Sequence, residues 1–266
     1  MVSSLLMVFS SAVAVMPVRA ASEVPSQLTQ LSALVGKKIE NSQGKNLGNI
    51  EEVVIDAATG DVAYAVLAFG GFLGLGEKLF ALPWSALKQS TSDTFTVPLT
   101  EEQIKKAPGF DRADWPSMEE KHWGDMIHAY YGQPPYWTKR LPAEEARDES
   151  QQVTPRLVHS SHILRSEVMN PEGQFLGNIE DVVLDTRTGE VVYAVLSFGE
   201  FLNLGGKWFA IPWRALKSSP GFGTFTLEVQ KEKLVDAPGF DKHQWPDMGN
   251  PTWASTVRDY WQTSPQ

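Results

Sequence analysis

At 266 residues, with 42% apolar and 21% charged side chains, the chain is long enough for two ordinary domains with buried cores, and its composition is neither that of a disordered tail nor that of a fibre. A formal net charge of −9, with no Lys/Arg cluster to set against it, argues against a nucleic acid as partner, since a phosphate backbone requires a basic footprint. The absence of cysteine excludes disulfides, thiolate metal centres, a thiol nucleophile and a lipoprotein anchor.

Residues 1–20 read as an export signal. An apolar and small-residue run from Leu5 to Met16 is too short for a comfortable membrane span, and Val18-Arg19-Ala20 before Ala21 is a small-residue cleavage pattern. No Lys or Arg precedes the run, which leaves open a start upstream of Met1 or a segment retained as a weak anchor. The expected location is the periplasm or the exterior.

From Leu47 the chain spells a segment that it repeats from Leu176. Over Leu47–Lys88 and Leu176–Lys217, at a constant offset of 129, 29 of 42 positions are identical, so the chain is a tandem duplication. The match continues into Ala107–Met118 and Ala237–Met248 after one inserted residue. The expected organisation is a first barrel over 31–99, a helical tail over 100–131, a linker over 132–157, a second barrel over 158–229 and a second tail over 230–266.

Within each unit, Val53-Val54-Ile55 and Val62 to Phe69 are rich in β-branched and aromatic residues, and Asp56 to Asp61 supplies a hairpin turn. Gly60 and Gly189 are expected to be left-handed, as a bulged turn requires. Strands at Phe80–Pro83 and Thr94–Val97 complete a small, mainly β barrel. Val62–Phe69 is apolar on both alternating faces, so one face fills the barrel and the other needs a cover. Thr100-Glu-Glu-Gln103 is a capping box opening a short helix, and Trp123, Ile127 and Tyr130 form the apolar stripe of a second. This aromatic tail is the expected cover. Gly132 to Pro155, rich in Pro, charge and Gln, reads as a linker.

Gly36, Gly44, Gly48, Asp56 and Gly60, followed by Tyr64-Ala-Val-Leu67, the Phe69-Gly70-x-Phe72-Leu73-x-Leu75-Gly76 stretch and Pro83-Trp84-x-x-Leu87, form a pattern that resembles the PRC-barrel family. The second unit repeats it with Arg165 in place of the first glycine. The resemblance implies a β-barrel like that of the photosynthetic reaction centre H subunit, acting as an assembly or adaptor module with no catalytic motif and no cofactor.

Comparison of the two copies tests the candidates for chemistry. The histidines at 122, 128, 159, 162 and 243 face Thr252, Arg258, Gln30, Ala33 and Ala113, so none is repeated. His159-Ser-Ser-His162 holds a metal only if both rings fall on one face, and zinc usually wants three or four ligands, so the pair reads as polar residues facing solvent. Glu51-Glu52 recurs as Glu180-Asp181, but strand neighbours point to opposite faces, and both pairs are expected to form a solvated strand edge. Asp111 with Asp114 becomes Asp241 with Gln244, and no nucleophile elbow or repeated Ser/His/Asp set is present.

The glycine-rich Gly70–Gly76 stretch lacks the Gly-Lys-Ser/Thr ending of a phosphate loop, and its counterpart loses two glycines. What both copies keep is apolar: Phe72, Leu73 and Leu75 match Phe201, Leu202 and Leu204. These are the candidate partner-binding residues, either as an exposed lip or as a plug folded into the barrel. The sequence is thus expected to be a non-enzymatic, exported scaffold or adaptor with an unidentified protein partner or membrane-associated complex. Its two repeats serve either as an internal pseudo-dimer or as a bivalent binder. The alternative is a small-ligand or carbohydrate-binding module using Tyr130-Tyr131 and Pro135-Tyr136-Trp137.

Overall fold

The computed structural model of the protein describes residues 27–70, 76, 78–139, 155–198, 206–219 and 223–262. The first half carries β1 (Leu28–Gln30), β2 (Lys38–Asn41), β3 (Asn46–Asp56), β4 (Val62–Phe69), β5 (Lys78–Pro83), β6 (Lys88–Thr91), β7 (Thr94–Val97), α1 (Glu101–Lys106), β8 (Gly109–Phe110) and α2 (Lys121–Tyr130). The second carries β9 (Leu157–His159), α3 (Ser160–Ile163), β10 (Glu167–Met169), β11 (Phe175–Asp185), β12 (Glu190–Phe198), β13 (Lys207–Pro212), β14 (Leu216–Ser218), β15 (Thr224–Leu227), β16 (Gly239–Asp241) and α4 (Pro251–Gln262). The protein is mainly β, two small barrels in tandem, each followed by a short helical, aromatic tail.

In the first unit the ladder runs β6-β7-β2-β3-β4-β5-β8, and in the second β14-β15-β10-β11-β12-β13-β16. All pairs are antiparallel except β2 with β7 and β10 with β15. Both hairpins turn at the expected glycines, Gly60 at φ 78° and Gly189 at φ 70°. From Val62 to Leu67 every residue of β4 is buried, on both faces. Its outward side is capped by the tail, where Trp123 stands edge-on to Tyr64 with ring centroids 5.4 Å apart. Trp253 repeats this on Tyr193 at 5.4 Å.

The helix stripe is shifted by one residue from the expected one. Ile127 and Tyr131 are buried, while Tyr130 is 38% exposed and donates its hydroxyl to the Gln103 carbonyl at 2.5 Å. The α1 helix has its capping box, with Thr100 Oγ1 accepting from the Gln103 amide at 3.2 Å and Gln103 Oε1 from the Thr100 amide at 2.8 Å. In the second unit Gln230 replaces that threonine, no side chain caps the segment, and Lys231–Asp236 winds as a 3-10 helix instead.

Where the second unit departs from the glycine pattern, the backbone keeps the shape that the glycine had. Arg165 lies at φ 76° against Gly36 at φ 87°, and its amide donates to Ile179 O as that of Gly36 does to Ile50 O. A left-handed L-residue costs about 1–2 kcal/mol, and glycine returns about 0.5–1 kcal/mol of that through unfolded-chain entropy. Arg165→Gly is therefore expected to raise stability by up to about 1 kcal/mol. A denaturant midpoint that fell would show that the arginine side chain contributes more than its backbone strain removes.

Candidate interaction surface

The six predicted partner-binding residues, Phe72, Leu73, Leu75, Phe201, Leu202 and Leu204, lie outside the described residues. The strand ends that lead into them are well packed. Phe69 stands edge-on to Phe80 at 6.0 Å with the Lys105 ammonium 6.0 Å from its ring centroid, and Phe198 packs on Phe209 at 4.6 Å.

The other ends of the same strands meet each other. Asp61 and Glu190, at the starts of β4 and β12, form an antiparallel bridge, flanked by Val62 N to Gly189 O at 2.7 Å and Val191 N to Gly60 O at 2.8 Å. Because the bridge is antiparallel, the two strands run away from each other. Each spans roughly 25 Å from the junction to its far end at about 3.4 Å per residue.

Two exchanged strands reinforce this junction. At 11 residues each, β3 and β11 are longer than the partners β2 and β10 can cover, and the backbone edge near their C-terminal ends needs hydrogen bonds from elsewhere. The leading strand of the other repeat supplies them. The pairs are Leu157, Val158 and His159 with Asp56, Ile55 and Val54, and Leu28, Thr29 and Gln30 with Asp185, Leu184 and Val183.

A carboxylate then fastens each exchanged segment. Asp181 accepts from Ser32 N at 3.1 Å and Ser32 Oγ at 2.6 Å. Glu52, its counterpart, accepts from Ser161 N at 3.0 Å, from Ser161 Oγ at 2.7 Å and from Ser160 Oγ. The expectation of a solvated edge is thereby corrected: Asp181 is 5% exposed, and burial pushes its carboxyl above the usual range against the pull of the Ser32 bonds. The signal was a serine spaced 129 residues from another serine, matching the spacing of the two carboxylates.

Each repeat also sends a tryptophan across the junction. Trp84 covers Gly189 and Trp213 covers Gly60 so closely that a Cβ on either glycine would stand 2.3 Å or 2.6 Å from indole Cδ1. Trp84 Nε1 further donates to Thr186 O at 3.1 Å.

Of the aromatic residues considered for ligand binding, Tyr131 and Tyr136 are buried, Trp137 is half-buried and Tyr130 is exposed. Tyr136 is 4% exposed, edge-on to Tyr64 at 6.3 Å, with its hydroxyl 3.4 Å from Asp56 Oδ2. Trp137 packs on His128 at 5.3 Å, over Gly124. A groove of about 440 Å³ lies beside Trp253, lined by Pro246, Asp247, Asn250, Thr252 and Thr256. Asp247 is the one titratable side chain in that lining, which is too little for acid and base to act on one bond. Among the described residues no three His, Asp or Glu side chains gather as a metal site, and no helix is long and apolar enough to cross a membrane.

A duplicated barrel, each copy borrowing its first strand from the other, is the class of protein that this architecture defines. Residues 29–104 and 156–234 match the PRC-barrel domain, together more than half of the chain, and the chain belongs to the PRC-barrel family. Both matched segments begin at the exchanged strands, at residues 29 and 156. No curated protein matches the chain.

Proposed function

We propose that the protein is a non-enzymatic, exported scaffold that presents two similar ends to protein partners in the cell envelope. The observation that carries this reading is the head-to-head junction, from which β4 and β12 run in opposite directions toward the two apolar segments. A connection made through strand pairing, buried carboxylates and tryptophans holds the two ends apart at a fixed spacing, and a second contact then benefits from effective concentration. Export rests on residues 1–20. The PRC-barrel domain supports a binding module, and the burial of Tyr131 and Tyr136 leaves a carbohydrate ligand less ring surface to stack on than the aromatic clusters suggest.

The test is a photoreactive residue at position 72 or 201, crosslinked in intact cells and read by mass spectrometry after fractionation. Discrete adducts with an envelope protein are expected from both positions. Intramolecular crosslinks alone, from folded and exported protein, would assign the two segments to the barrels and sink the scaffold reading.

A further inference from the structure

Past α2 the chain turns at Gly132 (φ 62°), passes through Pro134 and Pro135, and lays Tyr136 and Trp137 back against the helix that it has just left. This strap seals the imidazole of His128. Ring centroids of Tyr136 and Trp137 stand 6.2 Å and 5.3 Å from it, and that of Tyr64 in β4 stands 5.6 Å away. Trp137 seats so closely that a Cβ on Gly124, one turn before His128, would lie 2.7 Å from its Cη2.

An imidazolium carries two N–H donors, each of which needs an acceptor or water. His128 is 1% exposed, and neither ring nitrogen has a hydrogen bond of good geometry. The groups that face the ring are not a matched set for a cation. Asp125 on the same helix and the Pro134 carbonyl of the strap favour a charge, whereas Lys139 of the strap opposes it. Tyr64 and Tyr136 bring neutral rings, and Asp56 and Asp61 act on Tyr136.

The strap can lift without disturbing the sheet. Its backbone bonds run within itself or to the end of α2, namely Gln133 N to His128 O at 2.9 Å, Thr138 N to Pro135 O at 3.0 Å and Lys139 N to Tyr136 O at 3.2 Å. None of these belongs to a strand ladder, which places the segment among those that open locally. It is tied down by the Tyr136 hydroxyl at Asp56 and by Lys139 Nζ, which donates to Thr188 O of the other repeat at 3.0 Å.

The duplication shows the same helix position with a permanent charge. Arg258 aligns with His128 and Ala254 with Gly124. Arg258 is exposed and Ala254 half-buried, whereas His128 and Gly124 are buried. We propose that residues 132–139 form an acid-released strap: protonation of His128 lifts Tyr136 and Trp137 off α2 and β4, and the imidazolium then stands in solvent as Arg258 does. The open form binds the proton at the ordinary value of 6.5 and the closed form only at about 4, so acid favours opening by up to about 300-fold, gained between those two values. At neutral pH the strap is closed. Because the device belongs to the first repeat, acid makes the two ends of the molecule unlike.

Amide hydrogen exchange of the full chain, read by mass spectrometry and corrected for the intrinsic rate, tests the device. In the parent, peptides covering residues 131–139 are expected to lose protection at least about tenfold between pH 7 and pH 4, while β3 and β4 keep theirs. His128→Arg, which copies the second repeat, should show that loss already at pH 7, and His128→Phe should keep the strap protected at pH 4. The phenylalanine variant also separates His128 from Asp56, whose own protonation would weaken its hold on Tyr136 in either background. If the arginine variant does not fold, parent and His128→Phe decide between them. A parent strap that stays protected at pH 4, strap and strands that lose protection together, equal opening in parent and His128→Phe, or a strap still protected in folded His128→Arg would each overturn the proposal.

Discussion

Trp84→Ala is expected to lower the unfolding free energy by about 3–5 kcal/mol, the range for removing a buried aromatic ring. Trp84 is 3% exposed, edge-on to Phe95 at 5.6 Å, and covers the turn of the other repeat at Gly189. The loss should therefore fall on both repeats, so that they still unfold in one transition at a lower midpoint. A comparison of phenylalanine variants isolates the hydrogen bond. Trp84→Phe strands the Thr186 carbonyl, whereas Trp213 Nε1 is buried without a hydrogen-bond partner, so Trp213→Phe loses no such bond. Trp84→Phe should thus cost about 1 kcal/mol more than Trp213→Phe. Calorimetry that resolved two transitions in Trp84→Ala, with one left at the parent midpoint, would show that the junction does not couple the repeats.

Much of the architecture is legible in the sequence because it is local. The hairpin glycines, the buried run of β4 and the Thr100–Gln103 capping box each follow from residues within a few positions of one another. The strand exchange is not local. Leu28-Thr29-Gln30 and Leu157-Val158-His159 are short strands that suit either long strand, and β3 and β11 are so alike that the sequence gives no preference between pairing with the near copy and with the far one. The preference comes from chain geometry and from side chains distant in sequence, Ser32 with Asp181 and Ser161 with Glu52. Reading Glu52 and Asp181 as part of a solvated edge failed for the same reason, because their serine partners lie beyond any window of local pattern. The shift from Tyr130 to Tyr131 in the helix stripe has a smaller cause. Both rings fall near the boundary of the apolar face, and the Gln103 carbonyl holds the Tyr130 hydroxyl outside.

The same cover that buries Tyr136 buries His128, and this sets the response to acid. His128 is 1% exposed, with Tyr64, Tyr136 and Trp137 against its ring, and no hydrogen bond of good geometry reaches either ring nitrogen. Burial lowers its pKa from 6.5 to about 4, the nearby Asp125 carboxylate and Pro134 carbonyl offsetting only part of the effect and Lys139 adding to it. Between these two values the unfolded chain holds the proton and the folded chain does not. The stability contribution is therefore fully present above about pH 6.5, falls as pH drops, and levels off below about pH 4, a total loss of about 3 kcal/mol. Asp56 and Asp181, whose carboxyls burial raises, act with the opposite sign, their contribution being lost as pH rises through the folded-state values. His159 titrates in the same sense as His128, so the test must be a difference between variants. His128→Phe, with His128→Leu in case the larger ring overpacks, should lose about 3 kcal/mol less than the parent between pH 7 and pH 4, as read from urea midpoints. Parallel curves would mean that water already reaches the ring. At the matching position of the second repeat stands Arg258, which is exposed on α4, so this buried imidazole belongs to the first repeat alone.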